Sequence, residues 1–316
     1  MDASVPFLSV VIAARPDEAQ VLAAHAAALL DYPKDKLEIL VARGKQPSVQ
    51  RNHAVRAAQG EWIYFLDDDS VPERANLRRV LDALVQPGCE GVGGPNLCPE
   101  TAPPLEQSFA SVMGNRLAFG PSAARYRAMG SRRESSEKEL ILCNLILKRD
   151  TFLRLGGFDE ALYPNEENAL MDAILAQGGR LIYDPNFVVS RRPRTTWRAF
   201  VNMLMNYGRG RAEQWRSHPT MNSVLNFVPP LFCVYLAAMP LLPSIALWPL
   251  AGYLVMVSAS AWLTPREPRA RWGAIALGLM LTHIAYGLGF WKGLFTRLKA
   301  PGDREPIPVV LERITI

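Results

Sequence analysis

A short apolar run that ends in three acidic residues constrains this chain more than any other stretch. It lies within EWIYFLDDDSVP at residues 61–72, where residues 63–66 are strong β-formers bounded by polar residues. This pattern is typical of a buried strand in a parallel sheet. Asp67, Asp68 and Asp69 follow at the carboxyl end of that strand, which is where open α/β sheets bind their ligands.

The alternation of side chains along an extended chain separates the three acids into two groups. Asp67 and Asp69 are predicted to point to one side and Asp68 to the other. Two carboxylates on one side favour a hard divalent cation, Mg²⁺ or Mn²⁺, that also holds substrate phosphates. A simpler interpretation stays open, in which the acids form a turn that caps the helix beginning near Arg74.

The segments around the acidic run alternate between apolar strands and helical patterns. Predicted strands lie at residues 8–13, 37–42, 140–147 and 180–183, and predicted helices at residues 19–30, 48–59, 74–84 and 165–177. The first part has the order β-α-β-α-β, which predicts right-handed crossovers and a parallel sheet with helices on both faces. The polar residues 120–139 are predicted to form either a mobile loop beside a site or a plain surface loop.

The chain changes character after residue 195. Residues 196–215 mix apolar residues with arginines and are interpreted either as an amphipathic helix on a membrane surface or as an ordinary core helix. Three apolar stretches without Lys, Arg, Asp or Glu follow at residues 225–242, 244–263 and 272–290. Since about 20 residues span the hydrocarbon core of about 30 Å, three membrane spans are predicted. This arrangement leaves the basic residues after the third stretch outside the cytosol, against the positive-inside tendency. An alternative stays open, in which the third stretch re-enters the membrane or lies within its interface.

The charge distribution and the cysteines exclude several classes of protein. The net charge is +5, and seven arginines stand just before the apolar stretches, at positions 191, 192, 194, 198, 209, 211 and 216. Their placement indicates a membrane surface rather than nucleic acid, and no zinc-finger, homeodomain or RNP signature is present. The four cysteines form no C-x-x-C pair, which argues against a disulfide framework or a zinc site and fits a reducing cytosol.

Taken together, these motifs resemble a known family. The first 220 or so residues resemble inverting family 2 glycosyltransferases with a GT-A fold, an α/β class of Rossmann-like nucleotide-diphospho-sugar transferases. The resemblance is carried by LSVVIAAR with the following DE, RNHA before GEWI, LDDD, LGGFDE, NEENAL, GG and YDP. The RPR segment, NYGRG and the apolar tail resemble most the membrane-bound succinoglycan-biosynthesis (ExoA-like) branch, which builds lipid-linked bacterial polysaccharide.

The resemblance implies roles for individual residues of the donor site. The implied donor-binding residues are Ala13, Arg15, Glu18, Arg51, Asp67, Asp68 and Arg209. Asp69, with Asp67, would hold Mg²⁺ or Mn²⁺ on the donor diphosphate. A plain solvated helix residue remains the alternative for Arg51.

The resemblance places the catalytic base in the motif Asn165-Glu166-Glu167. The last acid is the usual base, so Glu167 takes that place and Glu166 is the second candidate. The family carries Asp at this position, and Glu is one methylene longer. A carboxylate there would deprotonate the acceptor hydroxyl as it attacks the anomeric carbon. The alternative is that both acids only favour a helix N-terminus.

A second departure from the family is NYGRG at residues 206–210, where processive synthases carry Q-x-x-R-W. This difference favours transfer of a single sugar.

These observations predict a GT-A domain at residues 1–195, an amphipathic interfacial helix at 196–220, a transmembrane region at 221–300 and a tail at 301–316. The expected enzyme transfers one sugar from a nucleotide-diphosphate sugar, most plausibly a UDP-sugar, to a lipid-linked polyprenyl acceptor. It would sit in the inner membrane, in contact with membrane lipids, with its catalytic domain in the cytosol and no nucleic-acid partner. Two alternatives stay open: a polyprenyl-phosphate sugar synthase of the dolichyl-phosphate-mannose type, and a membrane scaffold without catalysis.

Overall fold

The structure is a computed structural model that describes residues 5–162, 165–217, 221–298 and 308–315, with the side chains of 221–223 left aside. Residues 218–220 of the predicted interfacial helix and residues 301–307 of the predicted tail lie outside the described residues. The chain divides into two compact units. The first comprises Met1–Leu97, Ala124–Arg191 and Ala300–Ile316, and the second Cys98–Ala123 and Arg192–Lys299.

The elements are numbered in chain order. The helices are α1 Leu22–Ala28, α2 Pro47–Ala57, α3 Asn76–Leu84, α4 Pro104–Met113, α5 Arg116–Phe119, α6 Arg149–Arg154, α7 Glu166–Ala176, α8 Trp197–Ser217, α9 Val228–Ala238, α10 Leu247–Leu263 and α11 Trp272–Phe295. The strands are β1 Leu8–Ala14, β2 Leu37–Arg43, β3 Trp62–Asp67, β4 Val71–Pro72, β5 Cys89–Gly93, β6 Asn96–Leu97, β7 Arg133–Ser135, β8 Asn144–Lys148, β9 Arg180–Tyr183, β10 Val189–Ser190 and β11 Val310–Ile314.

An eight-stranded sheet forms the centre of the first unit, in the order β11-β2-β1-β3-β8-β5-β9-β7. Every residue of β1 is buried, and its side chains divide between two cores. Leu8, Val10 and Ile12 belong to one hydrophobic cluster and Val11 belongs to the other. Because successive side chains of a strand point to opposite faces, this division shows a sheet covered on both faces, as the continuous apolar runs predict.

The predicted β-α-β-α-β start is confirmed, but the sheet as a whole is mixed. β1 pairs in parallel with β2 and with β3, and β5 pairs in parallel with β9. β8 runs antiparallel to both of its neighbours, β3 and β5. The chain leaves the first unit at Cys98 and returns at Ala124 before β8, so the connection is not a crossover helix over the sheet.

Two segments predicted to be irregular join the sheet. Residues 120–139 contain a 3₁₀ turn at Gly120–Arg125 and the edge strand β7, which pairs with β9. The plain-loop prediction is therefore wrong for β7. Arg132, which directly precedes β7, also binds the buried Asp184 at 2.8 Å. In the predicted tail, β11 pairs antiparallel with β2. Its short alternating pattern gave too weak a signal to separate it from a tail.

The second unit consists of helices, and its charged residues form ion pairs of their own. Glu106 on α4 is buried and binds Arg192 through two bonds, of 2.6 and 2.8 Å. Arg192, which the sequence assigns to membrane-facing charge, thus has a protein partner. α9, α10 and α11 coincide with three segments that are long and apolar enough to cross a membrane: Val224–Leu241, Ser244–Leu263 and Trp272–Phe295.

Glycines allow α8 and α11 to approach each other closely. A Cβ atom at Gly208 would overlap the carbonyl oxygen of Tyr286, and one at Gly289 would overlap the carbonyl oxygen of Met205. A Cβ at Gly293 would similarly meet backbone atoms of Arg209. Small residues at such positions let helix backbones pack against each other. The apolar face of α8, including the fully buried Phe200, is therefore covered within the unit.

We expect Gly289→Ala to destabilise the protein by about 1–3 kcal/mol, because the added methyl overlaps backbone that has no room to move. The control is Gly273→Ala on the same helix, where no atom lies within 4 Å of the new Cβ. Thermal unfolding of the detergent-purified chain measures both. Equal melting temperatures for the two variants would contradict the close approach of α8 and α11.

Candidate functional site

The acidic residues after β3 face a single guanidinium group. Arg191 Nη1 lies 2.9 Å from Asp67 Oδ2, and Arg191 Nε lies 2.5 Å from Asp69 Oδ1. Both carboxylates therefore face one group, although residues 68–69 form a turn rather than the extended chain from which the shared side was predicted. Burial by itself lowers the pKa of Arg191, but the charges of Asp67 and Asp69 raise it well above its ordinary value. Asp68 differs: burial, together with the charges of Asp69 and Asp67, raises the pKa of its carboxyl.

Arg191 is the site residue that sequence reasoning placed wrongly, among arginines at a membrane surface. The small sheet β4-β10-β6 brings it to the acids, because Ser190 of β10 pairs with Val71 of β4. Val71 lies two positions after Asp69. The residue that follows Ser190, which is Arg191, therefore lies beside the acids. The only available signal was an arginine directly after a short apolar run, which does not identify a partner.

Arg51 connects the acids to the predicted base motif. Its Nη2 lies 2.6 Å from Asp67 Oδ1, and its Nη1 lies 3.5 Å from Glu166 Oε1. Arg51 and Glu166 are almost fully buried, with side chains 6% and 2% exposed. The solvated-residue alternative for Arg51 is therefore wrong. Since α2 supplies Arg51, β3 supplies Asp67 and α7 supplies Glu166, one side chain joins three elements.

The start of α7 has an unusual backbone conformation. Asn165 has a φ of 119°, and Asn168 Nδ2 donates to its Oδ1 at 2.9 Å. Such a φ is costly for a residue with a side chain and persists where the surroundings hold it. Asn165 N donates to Glu166 Oε2 at 3.0 Å. Burial first, and then the charge of Glu167, raise the pKa of Glu166 to about 7.

The neighbouring residue of Arg51 fixes the loop that precedes α7. Asn52 Oδ1 accepts from Phe158 N at 2.9 Å, and Asn52 Nδ2 donates to Phe158 O at 2.8 Å. Gly157, with a φ of 79°, lies so close that a Cβ there would come within 2.7 Å of Asn52 Oδ1. The two motifs RNHA and LGGFDE, which are about a hundred residues apart, thus meet through this pair of hydrogen bonds.

The remaining predicted donor residues fall into two places. Ala13 at the end of β1 pairs with Asp67 in the sheet register, and it is 9% exposed. The loop after β1 is held by Arg43, whose Nη1 donates to Glu18 O at 2.7 Å and to Arg15 O at 3.3 Å. Arg209 lies instead on α8 in the second unit, where its Nε is 3.6 Å from Glu213 Oε1.

The chemistry of Asp67 and Asp69 fits a hard divalent cation. Both carboxylates reach one point, and the Asp69 side chain is 46% exposed. Among the described residues, no group of three His, Cys, Asp or Glu side chains could hold a metal by itself. Mg²⁺ and Mn²⁺ sites of this kind use one or two carboxylates, with phosphate and water as the other ligands. Two buried donors, Arg51 Nε and Asn165 Nδ2, also lack an acceptor within the described part of the chain.

We expect the stability that Glu166 contributes to depend on pH. Its pKa of about 7 in the folded protein exceeds the ordinary 4.5. The contribution is therefore complete below about pH 4.5 and is lost as the pH rises through about 7. The melting temperature of the wild type minus that of Glu166→Gln should fall between about pH 5 and about pH 8. Asp150→Asn, at an 80% exposed carboxyl, is the control and should give a flat difference; a flat difference for Glu166→Gln would contradict the raised pKa.

Comparison with known proteins agrees with this arrangement. Residues 15–105 match the family model described as glycosyl transferase family 2. The succinoglycan biosynthesis protein ExoA of Rhizobium meliloti is 24% identical over 200 residues, which are 60% of this chain and 57% of that protein. The pre-mycofactocin glycosyltransferase of Mycobacterium tuberculosis is 24% identical over 196 residues, which are 57% of this chain and 37% of that protein. The chain thus spans well under two thirds of the length of these relatives.

A solved structure extends the likeness to the fold. The mannosyltransferase of Pyrobaculum calidifontis, in complex with GDP-Man and Mn²⁺, superposes with a TM-score of 0.59 over 92% of this chain and 88% of that one, at 18% identity. At this identity the likeness concerns the fold, which is the GT-A-like mixed α/β sheet described above. With the family match over residues 15–105, it follows that this chain carries a glycosyl transferase family 2 domain on a GT-A-like fold.

Proposed function

We propose that this chain is an inverting, metal-dependent glycosyltransferase that moves one sugar from a nucleotide-diphosphate sugar to a lipid-linked saccharide. The observation that carries the proposal is the position of Arg51, between Asp67 and Glu166. It joins the predicted metal carboxylates to the predicted base motif in one buried network. An acidic turn or a helix N-terminus without a ligand would not require this connection.

The donor end of the site is built around Asp67 and Asp69. A bound Mg²⁺ or Mn²⁺ would neutralise the diphosphate and so stabilise it as a leaving group. In the absence of donor, Arg191 balances the two carboxylates. With donor bound, Arg191 would add a positive group beside the diphosphate position. Ala13, Arg15 and Glu18, at the end of β1 and in the loop after it, would hold the nucleotide.

The base is assigned to Glu167 and a positioning role to Glu166. Glu166 is 2% exposed and already bonded to Arg51 and to the backbone of Asn165. Glu167 is partly exposed, and Asn168 Nδ2 lies 3.4 Å from its Oε1. A general base must reach the acceptor hydroxyl, which a buried and bonded carboxylate does not. Because Arg51 and the φ of Asn165 fix Glu166, the start of α7 would present Glu167 in one orientation.

The relatives support a nucleotide sugar as the class of donor, and they identify neither the sugar nor the acceptor. The archaeal mannosyltransferase binds GDP-Man with Mn²⁺, whereas the sequence favours a UDP-sugar, so both nucleotides belong in a donor panel. The name of the Rhizobium protein points to polysaccharide assembly. The apolar segments of the second unit fit an enzyme at the inner membrane whose sheet faces the cytosolic nucleotide sugars.

Asp69→Asn should remove the metal dependence of donor binding, because it removes the exposed charge at the predicted metal position. Binding of UDP- and GDP-sugars, with and without Mn²⁺, is measured by thermal shift on the purified full chain. Asp150→Asn on α6 is the control and should bind like the wild type. Mn²⁺-dependent binding that survives in Asp69→Asn would refute the assignment.

Glu167→Gln should lower turnover by roughly 10²–10⁴-fold while donor affinity persists, since a general base contributes on that scale. Glu166→Gln should affect turnover less and should shift the pH profile of kcat. A larger loss in Glu166→Gln, with donor affinity intact, would move the base to Glu166.

The acceptor is tested by comparing polyprenyl phosphate with a polyprenyl-diphosphate sugar in the same assay. Product from the second substrate is expected. Product from polyprenyl phosphate alone would make the chain a polyprenyl-phosphate sugar synthase. No donor hydrolysis or transfer with any nucleotide sugar would favour a scaffold without catalysis.

A further inference from the structure

The C-terminal strand restricts how the chain can cross a membrane. β11 pairs with β2 over five residues, and Arg43 Nε binds Glu312 Oε1 at 2.7 Å across the pair. All helices of the apolar region precede β11 in the chain. Residues paired in one sheet lie on one side of a membrane. The number of crossings between β2 and β11 must therefore be even, which three complete spans would not satisfy.

The loop between α10 and α11 is on the same side as the sheet. Its backbone donates to side chains of α4: Glu267 N to Ser111 Oγ at 3.2 Å, Arg269 N to Gln107 Oε1 at 2.7 Å and Arg271 N to Ser108 Oγ at 2.9 Å. α4 lies in the segment Cys98–Ala123. The residues before and after this segment, Leu97 and Ala124, both belong to the first unit. This segment carries three charged residues, Glu100, Glu106 and Arg116, and its helix α4 has only 10 residues, so it does not cross a bilayer.

α11 therefore begins and ends on the side of the sheet. Between α11 and β11, residues 299–307 (KAPGDREPI) carry four charges and are not suited to crossing hydrocarbon. The packing of α11 also argues against its crossing the bilayer. Its buried glycines pack on α8, and Arg216 of α8 donates to Gly293 O at 3.0 Å and to Thr296 O at 2.5 Å. If α11 crossed the bilayer, the charged helix α8 would be drawn in with it.

α9 and α10 differ from α11 because most of their apolar side chains are exposed. Few of their residues are buried, and large apolar side chains such as Leu231, Val255 and Trp262 are between 61% and 69% exposed. The connection between them is MPLLPSIA at residues 239–246, without a charged residue. At this turn Leu241 is 88% and Ile245 is 71% exposed. Side chains of this kind favour hydrocarbon over water. The backbone of the turn is also bonded internally, as lipid requires: Leu242 N donates to Met239 O at 3.2 Å and Ala246 N to Pro243 O at 2.8 Å.

We propose that α9 and α10 form a hairpin that enters the bilayer from the side of the sheet and turns back within the hydrocarbon, while α11 does not cross. The partner of this exposed surface is the acyl chains of one leaflet. α9 itself has 11 residues and rises about 17 Å, and 3₁₀ turns on both sides of it complete the 18-residue apolar segment Val224–Leu241. The uncharged turn, rather than the length of the arms, is what favours a hairpin that stays in the hydrocarbon.

Thiol accessibility in intact cells and in inverted vesicles tests the arrangement. The background is Cys98→Ser with Cys233→Ser, since Cys89 and Cys143 are buried, and it serves as the unlabelled blank. Single cysteines are added at four exposed positions: Val85 in the first unit, Arg269 in the α10–α11 loop, Thr315 after β11 and Leu241 in the turn. Each variant must keep the melting temperature of the background.

An impermeant maleimide should label Val85→Cys, Arg269→Cys and Thr315→Cys from one and the same side, at least tenfold above the blank. Leu241→Cys should resist that reagent from both sides, and it should react with an apolar, membrane-permeant maleimide. Labelling of Arg269→Cys or Thr315→Cys from the side opposite to Val85→Cys would show that α11 or the hairpin crosses an odd number of times. Labelling of Leu241→Cys from the opposite side would show a transmembrane hairpin, and from the same side a hairpin outside the lipid; both overturn the proposal. Sidedness is measured relative to Val85→Cys, so it stands apart from donor or acceptor results.

Discussion

The buried contact of Arg51 with Asp67 and Glu166 is the interaction on which the site depends. A charge that is this well buried needs partners, because removing one partner of such a pair typically costs about 3–5 kcal/mol. The contact joins the end of β3 to the start of α7 through the middle of α2. Since Asn52 on the next position fixes the loop before α7, one turn of α2 positions both halves of the site.

The balance of charge at the acids follows from the same constraint. Three carboxylates at one strand end repel one another, and this repulsion contributes to the raised pKa of Asp68. Arg51 and Arg191 each bind Asp67 from a different element, and Arg191 also binds Asp69. The acids, which we propose as the cation site, are thus held by side chains that are themselves fixed in the fold. Arg51 also lowers the pKa of Glu166, but burial and the charge of Glu167 outweigh it and raise that pKa to about 7.

The second unit contains the apolar end of the chain, and its helices differ in how much of their apolar surface is covered. Its interior helix, α11, packs on α8 through glycine and on α4 through Gly278, beside Val112. The surface that remains exposed and apolar is confined mainly to α9 and α10. With the proposed hairpin in the bilayer and the sheet in water, one chain would join a donor site in water to the proposed lipid-linked acceptor.

The sequence by itself determined the first strands, the acids at the end of β3, the helix at α7 and the apolar end. Each is a local pattern whose period or composition is set by burial on one or two faces. It did not determine the antiparallel β8, the strand β11 or the partner of Arg191. Arg191 reaches Asp69 only because β10 pairs with β4, and Glu312 reaches Arg43 only because the chain returns after 269 residues. Such contacts depend on strand pairing between distant segments, whose register no local pattern encodes, so only the tertiary structure decided them.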